Sequence, residues 1–224
     1  AANPAALVSV RPTILYNRTM ESTNFIVPGL VAIVMMMLGA LLTSVAIVRE
    51  KETGTMEQIL VSPVRAHEVV LGKVLPYLAL AFAVAMMIVA VGHLHFRVPM
   101  SGSPILLMAA CALFLFTALS LGLLVSTTAS TQQTAMMTSL LVTLLPTLML
   151  SGFMFPISSM PRVLQYVANA LPATHFLVII RGIMLKGNGA SELYGHGAAL
   201  AAIGLALMAI AMKRFSLKLG ERDV

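Results

Sequence analysis

The chain has 224 residues, of which 59% are hydrophobic and 10% charged, and its formal net charge at pH 7 is +6. A soluble domain is roughly 45–50% apolar and about 25% charged, so the composition excludes a water-soluble protein and predicts a polytopic membrane protein. The positive charge does not indicate a nucleic-acid partner, because the cations are spread thinly and form no basic stripe with interleaved aromatic residues. It is typical instead of contacts with lipid headgroups and of membrane topology.

Residues 1–24 contain two short β-prone runs and a polar stretch, a pattern that indicates the last part of a water-exposed domain. The first residue is Ala1, and the opening residues lack the basic, apolar and cleavage regions of a signal peptide. We therefore interpret the chain as a fragment or a processed product.

Five long stretches are apolar and free of charged side chains, and each is predicted to be a transmembrane helix. A helix rises about 1.5 Å per residue, so stretches of this length cross a hydrocarbon core of roughly 30 Å. Pro76 is predicted to lie in the first turn of the second span, where its missing hydrogen bond is not needed. The polar string STTASTQQT at 126–134 is the predicted turn between the third and fourth spans. The predicted spans are residues 25–48, 74–92, 104–126, 134–153 and 195–212.

Residues 154–182 are apolar but are interrupted by three prolines and several polar side chains. Because a lipid-facing span needs every backbone hydrogen bond satisfied, this pattern favours two short helices that enter and leave the membrane on one side. The glycine-rich residues 186–197 are then predicted to form a loop. On the last span Ala198, Ala202 and Ala206 recur every fourth residue, which predicts a smooth face for close packing; ordinary alanine-rich composition is the alternative.

The lysine and arginine residues give a weak preference for one orientation in the membrane. If the tail, residues 213–224, is cytoplasmic, residues 49–73 are cytoplasmic too and residues 153–195 lie outside. Eight of the 14 lysine and arginine residues then lie on the cytoplasmic side.

Residues 49–73, which we call the charged segment, separate the first two predicted spans and hold four of the eight acidic residues. An ionised side chain at the bilayer centre costs about 3 kcal/mol, so this segment must face water or a protein partner. Gly54 is predicted to end the first helix in the left-handed conformation, and Thr55 to cap a new short helix. Met56, Ile59 and Leu60 share one face of that short helix, which could fill a groove on a soluble partner. A solvated loop is the alternative.

Catalytic and nucleotide-binding motifs are missing from the sequence. A phosphate loop ending at Lys73 would need glycine at position 67 and serine or threonine at 74, where the chain has His67 and Val74. There is no HExxH motif and no Gly-x-Ser-x-Gly elbow. The chain is therefore predicted not to bind ATP in this way and to have no catalytic residues.

No metal site is predicted either. Cys111 is the single cysteine, which excludes a disulfide within the chain and a cysteine-based zinc cluster. His93 and His95 lie just outside a span without further ligands nearby, so they are interpreted as interfacial histidines.

With these residues assembled, the chain resembles the membrane subunit, or permease, of type-2 ABC exporters. The charged segment, REKETGTMEQILVSPVRAHEVVLGK, is similar to that family's cytoplasmic segment after its second span. The run SGFMFPISSMP, then LPATHFL, then Arg181-Gly182, is similar to its carboxy-terminal signature, a hairpin that re-enters from the outer side. The positions that carry the second resemblance are Gly152, Pro156, Pro161, Pro172, Arg181 and Gly182.

The resemblance implies an all-α permease domain over residues 25–224, with six spans in the full family fold and five here. The first span and most of an extracytoplasmic domain would be absent, with residues 1–24 as that domain's end. It also implies a re-entrant region at 154–182, a bacterial inner-membrane location and a cytoplasmic carboxy terminus. The implied partners are an ATPase subunit that binds ATP and Mg²⁺, a second identical or different permease, and membrane lipid.

The resemblance further implies roles for individual residues. A short cytoplasmic coupling helix would contact the ATPase through Glu50, Glu52, Gly54, Thr55, Met56, Glu57, Ile59, Leu60 and Pro63. The spans at 25–48 and 134–153 would line the pathway for a hydrophobic or amphipathic substrate. The polar candidates there are Thr43, Thr138, Thr143 and Thr147, with hydrogen bonding to the helix backbone as the alternative role.

Two other classes of function remain as alternatives. One is a membrane-embedded enzyme or scaffold with an extracytoplasmic site at 154–195, around His175 and Arg181. The other, an ion channel, is disfavoured by the scarcity of charged side chains in the spans. A mostly uncharged pathway suits drugs, lipids and hydrophobic polymers alike, so the sequence does not identify the substrate.

Overall fold

The computed structural model describes residues 23–54 and 66–220, and this part of the chain is built from helices. Five of them are long and apolar enough to cross a membrane, which confirms the predicted all-α membrane fold. In chain order the helices are α1 (Thr23–Glu52), α2 (Ala66–Leu94), α3 (Pro104–Thr128), α4 (Gln132–Leu150), a 3-10 turn (Ile157–Ser159), α5 (Arg162–Ala170), α6 (Pro172–Arg181), a π-helical turn (Gly182–Lys186) and α7 (Ala190–Gly220).

Helix α3 lies at the centre of the bundle, packed against α1 on one side and α7 on another. Its side chains Phe114, Leu115 and Leu119 are fully buried, as expected for a helix surrounded by other helices. Phe114 stacks on Phe176 of α6 with parallel rings whose centroids are 4.0 Å apart. The short helix α6 is therefore part of the core.

Small residues let α1 and α3 cross closely. A Cβ atom at Gly122 of α3 would lie 2.3 Å from the carbonyl oxygen of Ala40 in α1. A Cβ at Gly39 of α1 would lie 2.8 Å from the Cβ of Ala118. Membrane helices gain van der Waals contact when small residues allow such an approach, so this crossing holds the two helices together.

Helix α7 approaches α3 through a face different from the predicted one. A Cβ at Gly204 would lie 2.6 Å from Oγ1 of Thr117 in α3, and Leu200 is fully buried beside it. Ala198, Ala202 and Ala206 are exposed, so the prediction that they form the close-packing face is wrong within this chain. Glycine permits a closer backbone approach than alanine, which explains why the contact centres on Gly204.

Two other predictions of local structure are wrong. Residues 186–197 were predicted to form a loop, yet α7 already begins at Ala190, because the alanine, glutamate and leucine that follow Gly189 favour a helix. Pro76 lies well inside α2, which begins at Ala66, and not in its first turn. Membrane helices tolerate an interior proline because neighbouring groups and local adjustments satisfy the freed carbonyl.

The helices define two ends of the bundle. At the charged end, the last turn of α1 lies beside the α3–α4 turn, as the hydrogen bonds from Lys51 to Ser126 and from Gln132 to Glu52 show. At the opposite end, which we call the hairpin end, α1, α3 and α7 begin and α4 ends. The chain between α4 and α7 starts and finishes at the hairpin end, and α5 makes an angle of 79° with α6 and the π-helical turn.

Candidate functional site

The charged end holds the described part of the charged segment. Helix α1 continues through Glu52, and Gly54 then adopts a φ of 73°, the left-handed conformation predicted for it. Two backbone hydrogen bonds close the last turn, from the Thr53 N–H to the Arg49 carbonyl at 3.0 Å and from Gly54 to Lys51 at 3.4 Å. Glycine is favoured at such a helix end because a side chain would be strained there.

Glu52 binds the first residue of α4. Its two carboxylate oxygens accept hydrogen bonds from the backbone N–H of Gln132 at 3.0 Å and from Nε2 of Gln132 at 2.5 Å. The first N–H groups of a helix have no partner inside the helix, and the helix dipole favours a negative charge there. Thr131 and Thr134 complete this helix start with a reciprocal capping box.

Lys51, the neighbouring residue, binds the end of α3. Its Nζ donates a hydrogen bond to the carbonyl oxygen of Ser126, in the last turn of α3. A helix carboxyl terminus favours a cation for the same electrostatic reason that an amino terminus favours an anion. Lys51 and Glu52 together therefore fasten the end of α1 to both α3 and α4, an arrangement that we call the clamp.

Sequence reasoning missed the clamp. It assigned Glu52 to a partner protein, whereas the structure places its carboxylate on α4. The sequence did contain a signal for this contact. A Lys-Glu pair lies at the end of the first predicted span, and the predicted turn at 126–134 contains the carboxyl end of one helix and the amino end of the next. Those two helix ends favour a cation and an anion, respectively. A contact between Glu52 and a partner stays a prediction.

The other coupling residues are only partly described. Glu50 is half-buried and Gly54 is exposed. Six of the predicted contact residues lie outside the described residues, so the predicted short helix that contains them stays a prediction: Thr55, Met56, Glu57, Ile59, Leu60 and Pro63.

Three of the four predicted pathway threonines are buried inside the helix bundle. Thr43, Thr143 and Thr147 are buried, and Thr138 is half-buried. Thr43 donates to the carbonyl of Gly39 at 3.1 Å, which is the backbone bonding considered as their alternative role. Their place in a substrate pathway stays a prediction.

The polar contact that joins α1 and α4 involves two serines that sequence reasoning did not select. Ser44 of α1 and Ser139 of α4 are both fully buried, and their Oγ atoms are 2.6 Å apart. Ser139 belongs to the buried stripe Ala135, Ser139, Thr143 and Thr147, which repeats every fourth residue along α4. A repeat of small residues in a long apolar helix was the signal that could have revealed this face.

The residues of the carboxy-terminal signature meet at the hairpin end. Arg181 donates through Nη1 to the carbonyl of Gly152 at 3.2 Å, and its guanidinium lies 3.8 Å from the ring centroid of Phe25 in α1. Gly152 has a φ of 82°, and Gly182 packs against Leu193 of α7. Pro172 opens α6, while Pro156 and Pro161 precede the 3-10 turn and α5.

His175 and Arg181, the pair around which an enzyme site was considered, contact different neighbours. Nε2 of His175 donates to the carbonyl of Asn169 at 2.8 Å, and its Nδ1 lies 3.1 Å from Nδ1 of His196 in α7. Arg181 instead faces α1 and the residues after α4. The structure therefore does not bring these two side chains to one site.

Comparison with known proteins gives a family for the chain. The family model described as ABC-2 family transporter protein matches residues 1–213. The probable multidrug ABC transporter permease YbhS of Escherichia coli K12 is 37% identical over 182 residues, which cover 81% of this chain and 48% of that protein. The inner membrane transport permease YhhJ of the same strain is 33% identical over 223 residues, 97% of this chain and 58% of that protein.

A more distant organism also has a relative. The ABC transporter G family member 20 of Dictyostelium discoideum is 32% identical over 181 residues, 81% of this chain and 25% of that protein. The chain spans about half the length of the bacterial relatives that it matches. Because the family model covers nearly the whole chain and the relatives are named as permeases, this chain belongs to the ABC-2 transporter family, as a permease.

Proposed function

We propose that the chain is the membrane-spanning part of an ATP-driven exporter that moves a hydrophobic or amphipathic substrate out of the cytoplasm. A separate ATPase subunit would bind ATP and Mg²⁺, and a second permease would complete the pathway. Two relatives are named probable multidrug ABC transporter permeases and a third an inner membrane transport permease, which supports transport across a bacterial inner membrane. In this proposal the charged end and the carboxy terminus face the cytoplasm.

The clamp is the observation that carries the proposal. An ATPase that pushes on the charged segment must move the membrane helices without bending the connection between them. Lys51 and Glu52 join the end of α1 directly to the end of α3 and the start of α4. A force applied just beyond Gly54 would therefore move three helices as one body, as alternating access by rigid-body tilting requires.

The contact between α1 and α4 would keep these two helices together during this movement. It is held by small and polar residues, with the Ser44–Ser139 hydrogen bond at its centre. Small residues let membrane helices pack closely, so this contact supports the movement of α1 and α4 as one body. The exposed side of α4 is apolar, with Met137, Leu141 and Leu145 more than half exposed, which suits lipid or a second permease.

The proposal is tested by reversing one charge in the segment that would contact the ATPase. Glu57→Lys in the protein reconstituted with its ATPase should abolish most of the substrate-stimulated ATP hydrolysis and the transport, because a basic group would oppose basic groups of the partner. Gly54→Pro should do the same, since proline cannot adopt the positive φ of Gly54.

A matched control keeps the charge change but moves it to the other end of the bundle. Glu192 is exposed in the first turn of α7, and Glu192→Lys should leave both activities near the wild-type level. Wild-type coupling in both Glu57→Lys and Gly54→Pro would contradict the proposed docking of an ATPase on this segment.

A further inference from the structure

Two histidines join α6 to α7 at the hairpin end, and we call them the histidine pair. His175 lies in the first turn of α6 and His196 in the second turn of α7. Their Nδ1 atoms are 3.1 Å apart, and their ring centroids are 5.4 Å apart. Both side chains are partly exposed, so water at this end of the bundle can deliver protons to them.

The contacts of His175 fix where the protons lie in the neutral pair. A carbonyl oxygen only accepts hydrogen bonds, so Nε2 of His175 carries a proton and donates it to the carbonyl of Asn169 at 2.8 Å. In a neutral imidazole the other nitrogen then has no proton, which makes Nδ1 of His175 an acceptor. Nδ1 of His196 therefore carries the proton of the hydrogen bond between the two rings.

The histidine pair can take up one proton and keep this hydrogen bond, but it cannot take up two. The first added proton binds Nε2 of His196, and the bond between the two Nδ1 atoms stays as it is. A second proton would have to bind Nδ1 of His175, and then neither facing nitrogen could accept. The two rings would also both be positively charged at a centroid distance of 5.4 Å, where like charges repel. The doubly protonated rings must therefore separate.

The described surroundings place no opposite charge against the histidine pair. Among the described residues, His175 is the titratable group whose charge acts on His196. No acidic side chain, cysteine or third histidine in this part of the chain lies close enough to hold a metal ion together with the pair. Arg181 contacts α1 instead. The other titratable groups that the neighbouring elements place at this end are exposed, and water and salt screen their charges: His93, His95, Arg97, Arg162, Tyr166, Lys186, Glu192 and Tyr194.

We propose that the histidine pair is a pH-sensitive contact that joins α6 and α7 at neutral pH and releases them in acid. The released form holds one proton more than the joined form, so a falling pH favours release. An imidazole in water has a pKa of about 6.5, and release therefore begins below about pH 6.5. The chemistry needs neither ATP nor substrate. With the proposed orientation of the chain, the pair responds to the pH outside the cytoplasm.

The start of α7 is the part that release sets free. Helix α6 stays in the core, because Phe176, next to His175, stacks on Phe114 of α3. The first ten residues of α7 have one buried side chain, Leu193, before Leu200 is reached. Few buried contacts mean a low free energy of local opening, so the first turns of α7 open once the bond to α6 is lost.

Hydrogen–deuterium exchange of the protein in lipid nanodiscs, read by mass spectrometry at pH 7.5 and 5.5 with a chelator present, tests this proposal. After correction for the intrinsic exchange rate, the protection of residues 194–199 should fall about tenfold at pH 5.5. One extra proton in the open form changes the opening equilibrium by about tenfold for each pH unit below 6.5. The protection of residues 110–119, in the buried middle of α3, should not change. Unchanged protection of residues 194–199, or an equal loss in α3, would overturn the proposal.

Two variants assign the effect to the histidine pair. His196→Gln keeps a side chain that can hydrogen-bond to Nδ1 of His175 but does not titrate, so its protection should be the same at both pH values. His95→Gln is the matched control, because His95 is an exposed histidine outside the pair, and it should keep the tenfold loss. An equal loss in His196→Gln and the wild type would overturn the proposal, as would a His95→Gln protein without the loss. If His196→Gln does not fold, the wild-type measurement still decides.

Discussion

Gly122→Ala tests the close crossing of α1 and α3 with the smallest change. The added Cβ would lie 2.3 Å from the carbonyl oxygen of Ala40 and 2.8 and 2.9 Å from its Cα and carbonyl carbon. These are backbone atoms, so no rotamer change relieves the clash. Ordinary contact begins at 3.4 Å, and the two helices must therefore separate by about 1 Å at this point.

The expected cost follows from two opposing effects. Overpacking of a close contact costs about 1–3 kcal/mol, while alanine gains up to about 1 kcal/mol over glycine in helix propensity. Gly195→Ala in α7 is the matched control, because its Cβ would meet no described atom within 4 Å. The gain in propensity is common to both variants, so Gly122→Ala should be less stable than Gly195→Ala by about 1–3 kcal/mol.

Reversible unfolding in detergent micelles measures this difference. Both variants replace a helical glycine with alanine, so comparing them under one condition cancels the contribution of helix propensity. If Gly122→Ala is as stable as Gly195→Ala, or more stable, the close crossing of α1 and α3 is refuted.

Four other substitutions test three individual contacts by the same unfolding measurement. Thr131→Ala removes the cap of α4 and should cost about 1 kcal/mol; an unchanged stability would show that α4 does not depend on this cap. Ser44→Ala and Ser139→Ala should each cost about 1 kcal/mol, and the double variant should cost less than their sum, because both lose one shared hydrogen bond; additive costs would contradict that bond. Phe114→Ala should cost about 3–5 kcal/mol, because it empties a fully buried site beside Phe176; a cost under 1 kcal/mol would mean that α6 does not pack on α3.

The positions of the long helices could be predicted because charge is excluded from the hydrocarbon core. The charge-free stretches coincide with α1, α3 and α4 to within a few residues. The helix end at Gly54 and the turn after Thr128 were also predictable, since a glycine that can adopt the left-handed conformation and a string of polar residues are local signals.

The contacts between helices were not predictable in the same way. Alanine and glycine are both small residues that allow close helix packing. The sequence therefore could not show that α7 packs against α3 through Gly204 and leaves Ala202 exposed. The clamp and the environment of Arg181 depend on chain segments far apart in sequence, Lys51 with Ser126 and Arg181 with Phe25. Periodicity and capping describe one helix at a time and carry no information about such partners.

In the proposed function, the clamp passes movement of the charged segment to α1, α3 and α4. The most direct measurement is the amount of substrate transported per ATP hydrolysed by the reconstituted transporter, in Glu52→Gln and in the control Glu192→Gln. Glu52→Gln weakens the bonds to Gln132 but keeps the shape of the side chain. We expect Glu52→Gln to hydrolyse ATP while transporting several-fold less substrate per ATP, and Glu192→Gln to match the wild type. An unchanged ratio in Glu52→Gln would contradict the role of the clamp.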